Sequence, residues 1–121
     1  MMKSNALFLS VLLISIPAHA QHPLVKITEI IKKGNAILLR EVNADDAAPC
    51  IDVIKKTHDF KDVESVRFEQ VMTGEKGYFE FDNGSRAMTF RLNAKNSYGA
   101  YAGPQKYECG ISADGEIYVY P

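Results

Sequence analysis

Tryptophan is missing from the 121 residues, cysteine occurs twice, and neither sign of charge dominates, with 14 Lys+Arg against 15 Asp+Glu. Each shortage excludes something. Two cysteines cannot form the multi-bridge framework of a disulfide-dense mini-protein. The missing basic surplus argues against nucleic acid as a partner, because phosphate contacts demand clustered Lys and Arg. Catalytic signatures are missing too: there is no Gly-x-Ser-x-Gly, His-Glu-x-x-His, Walker loop or zinc-spaced Cys/His cluster. The residues therefore point to no enzyme, no cofactor and no metal. Long apolar runs are scarce as well. The substantial one, Ala6–Ile16, is too short to cross a hydrocarbon core of about 30 Å as a helix. With 46% hydrophobic residues the chain still has the composition of one globular domain rather than a disordered tail.

That apolar run reads as an address. Lys3 precedes it, Pro17 breaks it, and Ala18-His19-Ala20 supplies the small-x-small pattern of a signal-peptidase site. Residues 1–20 are expected to be a signal peptide and residues 21–121 a single α+β domain, periplasmic or secreted, with no membrane span after cleavage. Gln21, where a lipid anchor would need cysteine, argues against lipidation. In an oxidising compartment Cys50 and Cys109 are expected to form a disulfide. Closing a loop of about 60 residues, it stabilises the domain by about 4 kcal/mol on the chain-entropy account.

The second half carries sheet signals. Asn83-Gly84 between Phe79–Phe81 and Arg86–Phe90 is a strong hairpin signal. A two-residue turn there pairs Phe81 with Arg86 and Phe79 with Met88, so that Phe79, Phe81, Met88, Phe90 and Leu92 share one face. Around Asp114-Gly115, a three-residue turn with left-handed Gly115 is favoured over a two-residue turn, because it pairs Ile111 with Ile117 and Cys109 with Val119. A further strand is expected over Ser65–Met72. These parities leave Tyr78, Tyr118 and Tyr120 on the opposite face with Arg67, Thr89 and Arg91, either an ordinary half-wet face or a Tyr/Arg-rich interface.

The first half reads as more helical. Asp45 and Asp46, then Pro49, then Cys50, Ile51, Val53 and Ile54 at helical spacing, with Lys55 and Lys56 last, suit the helix dipole. Proline is expected in the first turn, and the disulfide would staple this helix to the sheet. Leu24–Lys33 suggests a helix buried through Leu24, Ile27 and Ile31, with a strand as the alternative. Ala36–Val42 has no assignment. The architecture expected is one or two N-terminal helices packed on an antiparallel sheet of about four to five strands.

The segment Asn93–Tyr107 is richer in Asn, Gly and Tyr than a connection requires. Asn and Ser bond back to the backbone, while Tyr offers an apolar face with a polar tip. It is either a long sheet connection or a recognition loop. In the second case Asn93, Lys95, Asn96, Ser97, Tyr98, Tyr101 and Tyr107 are the binding residues, for a protein or glycan partner in the envelope.

Two runs here also resemble a family. Phe60-Lys61-Asp62-Val63-Glu64-Ser65-Val66-Arg67-Phe68 is similar to a Leu-Lys-Asp-Pro-x-Ser-Ala-x-Phe pattern. Leu92-Asn93-Ala94-Lys95-Asn96-Ser97-Tyr98-Gly99-Ala100-Tyr101-Ala102-Gly103 is similar to Val-Asn-Ala-Lys-Asn-Ser-Phe-Gly-Gly-Tyr-x-Gly. Together they resemble small exported bacterial domains of uncharacterised function. The departures are Val63 for proline, Ala100 for glycine, and Thr89 where such sequences often carry cysteine. The resemblance implies a helix-plus-sheet fold and no activity.

Three chemical alternatives stand beside the binding module. His58-Asp59 with Ser97 would make a small hydrolase or metal-dependent enzyme, although nothing in their spacing joins them. Gln21-His22 would offer copper an amine and an imidazole. An envelope component with a purely structural role is the third. The expected function is a non-catalytic binding module, inhibitor-like or immunity-like, acting through Asn93–Tyr107.

Overall fold

The computed structural model describes residues 22–69 and 76–121. The signal-peptide reading of residues 1–20, Gln21, and the end of the strand expected to reach Met72 lie outside them. Among the described residues the order is α1 (Pro23–Lys33), β1 (Ala36–Arg40), α2 (Ala44–Thr57), a 3-10 turn (Val63–Ser65), β2 (Arg67–Glu69), β3 (Tyr78–Phe81), β4 (Arg86–Asn93), β5 (Gln105–Ile111) and β6 (Ile117–Tyr120). All six strands form one antiparallel sheet in the order β1-β3-β4-β5-β6. β2 pairs with the far end of β4, through Arg67–Asn93, Phe68–Leu92 and Glu69–Arg91, on the same side as β3. The α+β architecture and the helix-to-strand disulfide are as expected.

Helices cover both faces of this sheet. Successive residues of a strand point to opposite faces. In β5, Cys109 is bonded to Cys50 of α2, whereas a Cβ at the neighbouring Gly110 would lie 2.9 Å from Ile30 and 3.1 Å from Ile27 of α1. The main core therefore lies on the α2 side, where Ala47, Cys50 and Ile54 meet Met88, Phe90, Leu92, Tyr107, Cys109 and Ile111. A smaller cluster of Ile30, Phe81 and Ala87, with Tyr118 against it, lies on the α1 side.

This second layer overturns the expected first hairpin. Tyr78 opposes Met88, and Phe79 opposes Ala87, one residue out of the anticipated register. The turn has three residues, closed by Phe81 N–H to Ser85 C=O and Gly84 N–H to Phe81 C=O, both at 3.0 Å, with Gly84 at φ +89°. Asn83 favours it, its Oδ1 accepting from the Ser85 N–H at 3.0 Å and hydroxyl at 2.6 Å. Collecting every apolar residue on one face suits a sheet with one wet side. Here Phe81 and Ala87 are buried on the other side, beneath α1. The same helix corrects the outer-face reading. Tyr78 is buried in the main core, while Lys26 of α1 sits over Tyr118 and His22 tilts against Tyr120. The final hairpin is as expected, with Ile111–Ile117 and Cys109–Val119 paired and Gly115 at φ +92°.

The helices differ in detail from expectation. α1 buries Ile27 and Ile30, leaving Leu24 and Ile31 exposed. α2 begins at Ala44, so Pro49 stands in the second turn, where its missing N–H removes one helical hydrogen bond. Strong capping and anchoring surround that defect. Asn43 and Asp46 form a reciprocal capping box, and the Asp46 carboxylate also takes Arg40 in two bonds of 2.5 and 2.7 Å. Those contacts hold the Asp46 carboxyl below the usual carboxylate range, the Arg40 hydrogen bonds contributing most. Residues 36–40, unassigned from sequence, form edge strand β1.

Candidate functional site

The connection from Asn93 to Gln105 is a built extension of the β4–β5 hairpin. Lys95 and Tyr101 form a bridge, and the Ala102 N–H donates to the Ala94 C=O at 3.1 Å. Above it Asn96 organises the tip. Its N–H donates to Ala100 C=O at 2.8 Å, its C=O accepts from Gly99 N–H at 3.0 Å, and its Oδ1 accepts from the Tyr98 and Ala100 N–H groups at 2.9 and 3.2 Å. At the base, Asn93 is buried, with Oδ1 accepting from Gly103 N–H at 3.0 Å and Nδ2 donating to Glu69 at 3.1 Å. Both asparagines thus act as backbone-shaping residues.

The flank of the loop is fixed by Ser65 and Arg67, just before and at the start of β2. Ser65 Oγ accepts from Lys95 N–H at 2.8 Å, and Tyr101 OH donates to the Ser65 C=O at 3.2 Å. The Arg67 guanidinium lies 3.8 Å from the Tyr101 ring centroid, with Lys95 Nζ at 5.7 Å from the same ring. Arg67 also pairs with Glu69 at 3.3 Å. Sequence reasoning omitted Ser65, Arg67 and Glu69 from this site. The serine at a fixed place in the first run was the signal that could have found them.

The expected binding residues therefore divide. Asn93, Lys95 and Asn96 shape the loop, and Tyr101 is pinned at its side though 38% exposed. Ser97 is exposed, and Tyr98 at the apex is 93% exposed. Tyr107 does not join them. It is 3% exposed, its ring stacks on Phe90 and meets the edge of His58, and burial raises its phenol pKa. A cleft of about 190 Å³ separates the loop from the chain after α2, lined by Phe60, Ala94, Asn96, Gly103 and Tyr107 among others.

Of the alternative chemical centres, the Gln21–His22 pair lies partly outside the described residues, and the other depends on His58. His58 rests on Phe60 and Tyr107, and its Nδ1 lies 3.1 Å from the Thr57 hydroxyl; none of these contacts is with Ser97. His22 caps α1, its Nδ1 accepting from Leu24 N–H at 3.1 Å. Among the described residues no group of three or more His, Cys, Asp or Glu side chains is arranged to hold a metal ion. Nor, among those residues, is any helix long and apolar enough to cross a membrane. Comparison with protein-family models, curated proteins and solved structures finds no match to this chain.

Proposed function

We propose that this protein is a non-catalytic exported binding module that meets a protein or glycan partner through the tip of the 93–104 loop, with Tyr98 as the anchor. The observation that carries the reading is the pairing of an almost fully exposed tyrosine with a loop whose two asparagine side chains bond to its own backbone. A rigid loop loses little entropy on binding, and tyrosine brings a large amphipathic surface with few rotatable bonds. Export is supported by the leader-like first twenty residues and by the Cys50–Cys109 bond.

The test is capture from an envelope extract with wild type and Tyr98→Ala, scored against Ser97→Ala and an unrelated bait. A partner held by wild type and Ser97→Ala but released from Tyr98→Ala is expected. The loss should be about 30-fold or more, the scale of a central aromatic anchor. Identical partner sets for wild type, Ser97→Ala and Tyr98→Ala, or no partner beyond those of the unrelated bait, would overturn the proposal.

A further inference from the structure

Two cations oppose each other directly on the sheet. Arg91 of β4 pairs with Lys106 of β5, and like charges in that position destabilise a sheet. A carboxylate stands on the other flank, since Arg91 also faces Glu69 of β2. That carboxylate is spent elsewhere: its Oε2 takes Arg67 Nε at 3.3 Å and Asn93 Nδ2 at 3.1 Å. Among the described residues the ion pairs are Lys26–Glu29, Arg40–Asp46 and Arg67–Glu69, so neither Arg91 nor Lys106 has one. Arg67 lies on the same face one row further along, opposite Asn93, and shares the Tyr101 ring with Lys95. Four cations thus gather where β2, β4 and β5 meet the base of the 93–104 loop. Helix α1 packs on this face at Gly110, two rows from Lys106. That is about 13 Å along the strand, whereas a helix reaches about 5–6 Å from its axis. Lys106 is exposed and Arg91 half-buried.

We propose that Arg91 and Lys106 form a binding site for the carboxylate of a sugar acid, within an acidic glycan that lies on this face of the sheet. An anion between the two cations turns their repulsion into charge-assisted contacts, and the guanidinium fork matches a carboxylate in particular. Charge complementarity also selects the class of ligand. Glu69 beside Arg91, and Glu108 two residues from Lys106 on the same face, would repel a uniform polyanion such as a nucleic acid or an acidic peptide. Both carboxylates accept hydrogen bonds from hydroxyl groups. The ladder therefore suits a chain that alternates acid groups with hydroxyl donors, as a polymer of hexuronic acid does. The site lies on the strands and not at the loop tip, so it stands apart from the Tyr98 reading.

Titration calorimetry of the purified protein with a hexuronic acid trimer tests it, against a neutral hexose trimer, triglutamate and a DNA trinucleotide. The hexuronate should bind about tenfold more tightly than any of the other three, and should weaken when salt is raised to about 0.5 M. Arg91→Gln and Lys106→Gln should each weaken it about fivefold. Neither should lower the melting temperature, because each removes a repulsion, and a purely structural pair would not separate affinity from stability in this way. Should Arg91→Gln melt earlier than wild type, Lys106→Gln, at an exposed position, carries the test. Tyr98→Ala should bind the hexuronate as wild type does, so failure of one reading does not entail failure of the other. No binding of the hexuronate, or equal binding of the neutral trimer, overturns the proposal. Equal binding of triglutamate or DNA overturns it by giving the face to another class of anion. Wild-type affinity in both glutamine variants overturns it equally, by placing the contact on another surface.

Discussion

Replacing Cys50 and Cys109 together by alanine should cost the domain about 4 kcal/mol of stability. The magnitude follows from the 59 positions between the sulfurs, which the intact bond holds together in the unfolded chain. Net stability for a domain of this size is about 5–15 kcal/mol, so the loss is a large share of the total. Alanine is the right replacement. Both cysteines are completely buried, and serine would place hydroxyls in an apolar core where an unbonded polar group costs about 1–3 kcal/mol. Urea unfolding should be followed by far-UV circular dichroism together with tyrosine fluorescence, since there is no tryptophan. The double variant should fold at low denaturant and unfold at a much lower midpoint, with a melting temperature lower by about 20 °C. Dithiothreitol should lower the wild type towards the same midpoint and leave the variant unmoved. A loss below about 1 kcal/mol would refute the reasoning. It would mean that Ala47, Ile51 and Ile54 dock α2 on the sheet with little help, or that the reduced unfolded chain is already constrained.

Three further outcomes are expected. The carboxyls of Asp46, Asp82 and Asp114 are all held below the ordinary range, by Arg40, by Asn35 and by Ser112 first in each case. Their contribution is therefore present above the unfolded value of about 3.9 and lost as pH falls through the lower folded values, so urea midpoints should drop on acidification below about pH 4. Asp46→Asn should flatten part of that acid limb and cost about 1 kcal/mol at neutral pH through the cap and the part-exposed ion pair. Gly77→Ala should destabilise by about 1–3 kcal/mol, because the added carbon would lie 2.7 Å from the backbone oxygen of Thr89 and force β3 away from β4; an unchanged melting temperature would contradict that packing. Asn93→Ala should release the loop from Glu69 and Gly103, seen as faster amide exchange over residues 94–103 with the sheet still protected.

Much of the fold was legible because its signals were local. The last hairpin was readable since only the three-residue turn brings Cys109 and the aliphatic residues together, and Gly115 could supply the positive φ. The helix over residues 44–57 announced itself by Asp45 and Asp46 at its start, its spaced apolar residues and Lys55 and Lys56 at its end, while its cap, Asn43, went unread. The first hairpin was misjudged for a non-local reason. Its register depends on whether the far face is wet or covered, and Gly110, the residue that admits Ile27 and Ile30, carries no side chain to advertise that contact. β1 was illegible because five residues without alternating polarity satisfy neither period, and the strand is defined by pairing with a segment some forty positions later. For the candidate site, composition grouped Tyr107 with the 93–104 loop, whereas its side chain is buried in the main core, because parity along β5 reveals orientation only after the covered face is known.

The division of labour within the loop follows from the same arithmetic of polar groups. Asn93 spends its side-chain oxygen on the Gly103 N–H and its nitrogen on the Glu69 carboxylate, and Asn96 spends its side-chain oxygen on two backbone N–H groups. Tyr101 likewise has its hydroxyl on Ser65 and one ring face under Arg67. These residues make the loop stiff without making it sticky. Tyr98 differs in kind, because its backbone N–H is held by Asn96 while its side chain stands almost wholly in solvent. Exposing an aromatic ring on a mobile segment would confer little selectivity, whereas holding it on a bonded turn fixes the direction from which it can be met. Loss of an Asn should therefore act on any partner through a slower or less ordered encounter, and loss of Tyr98 through faster release, so that the two classes of substitution separate in association and dissociation rates.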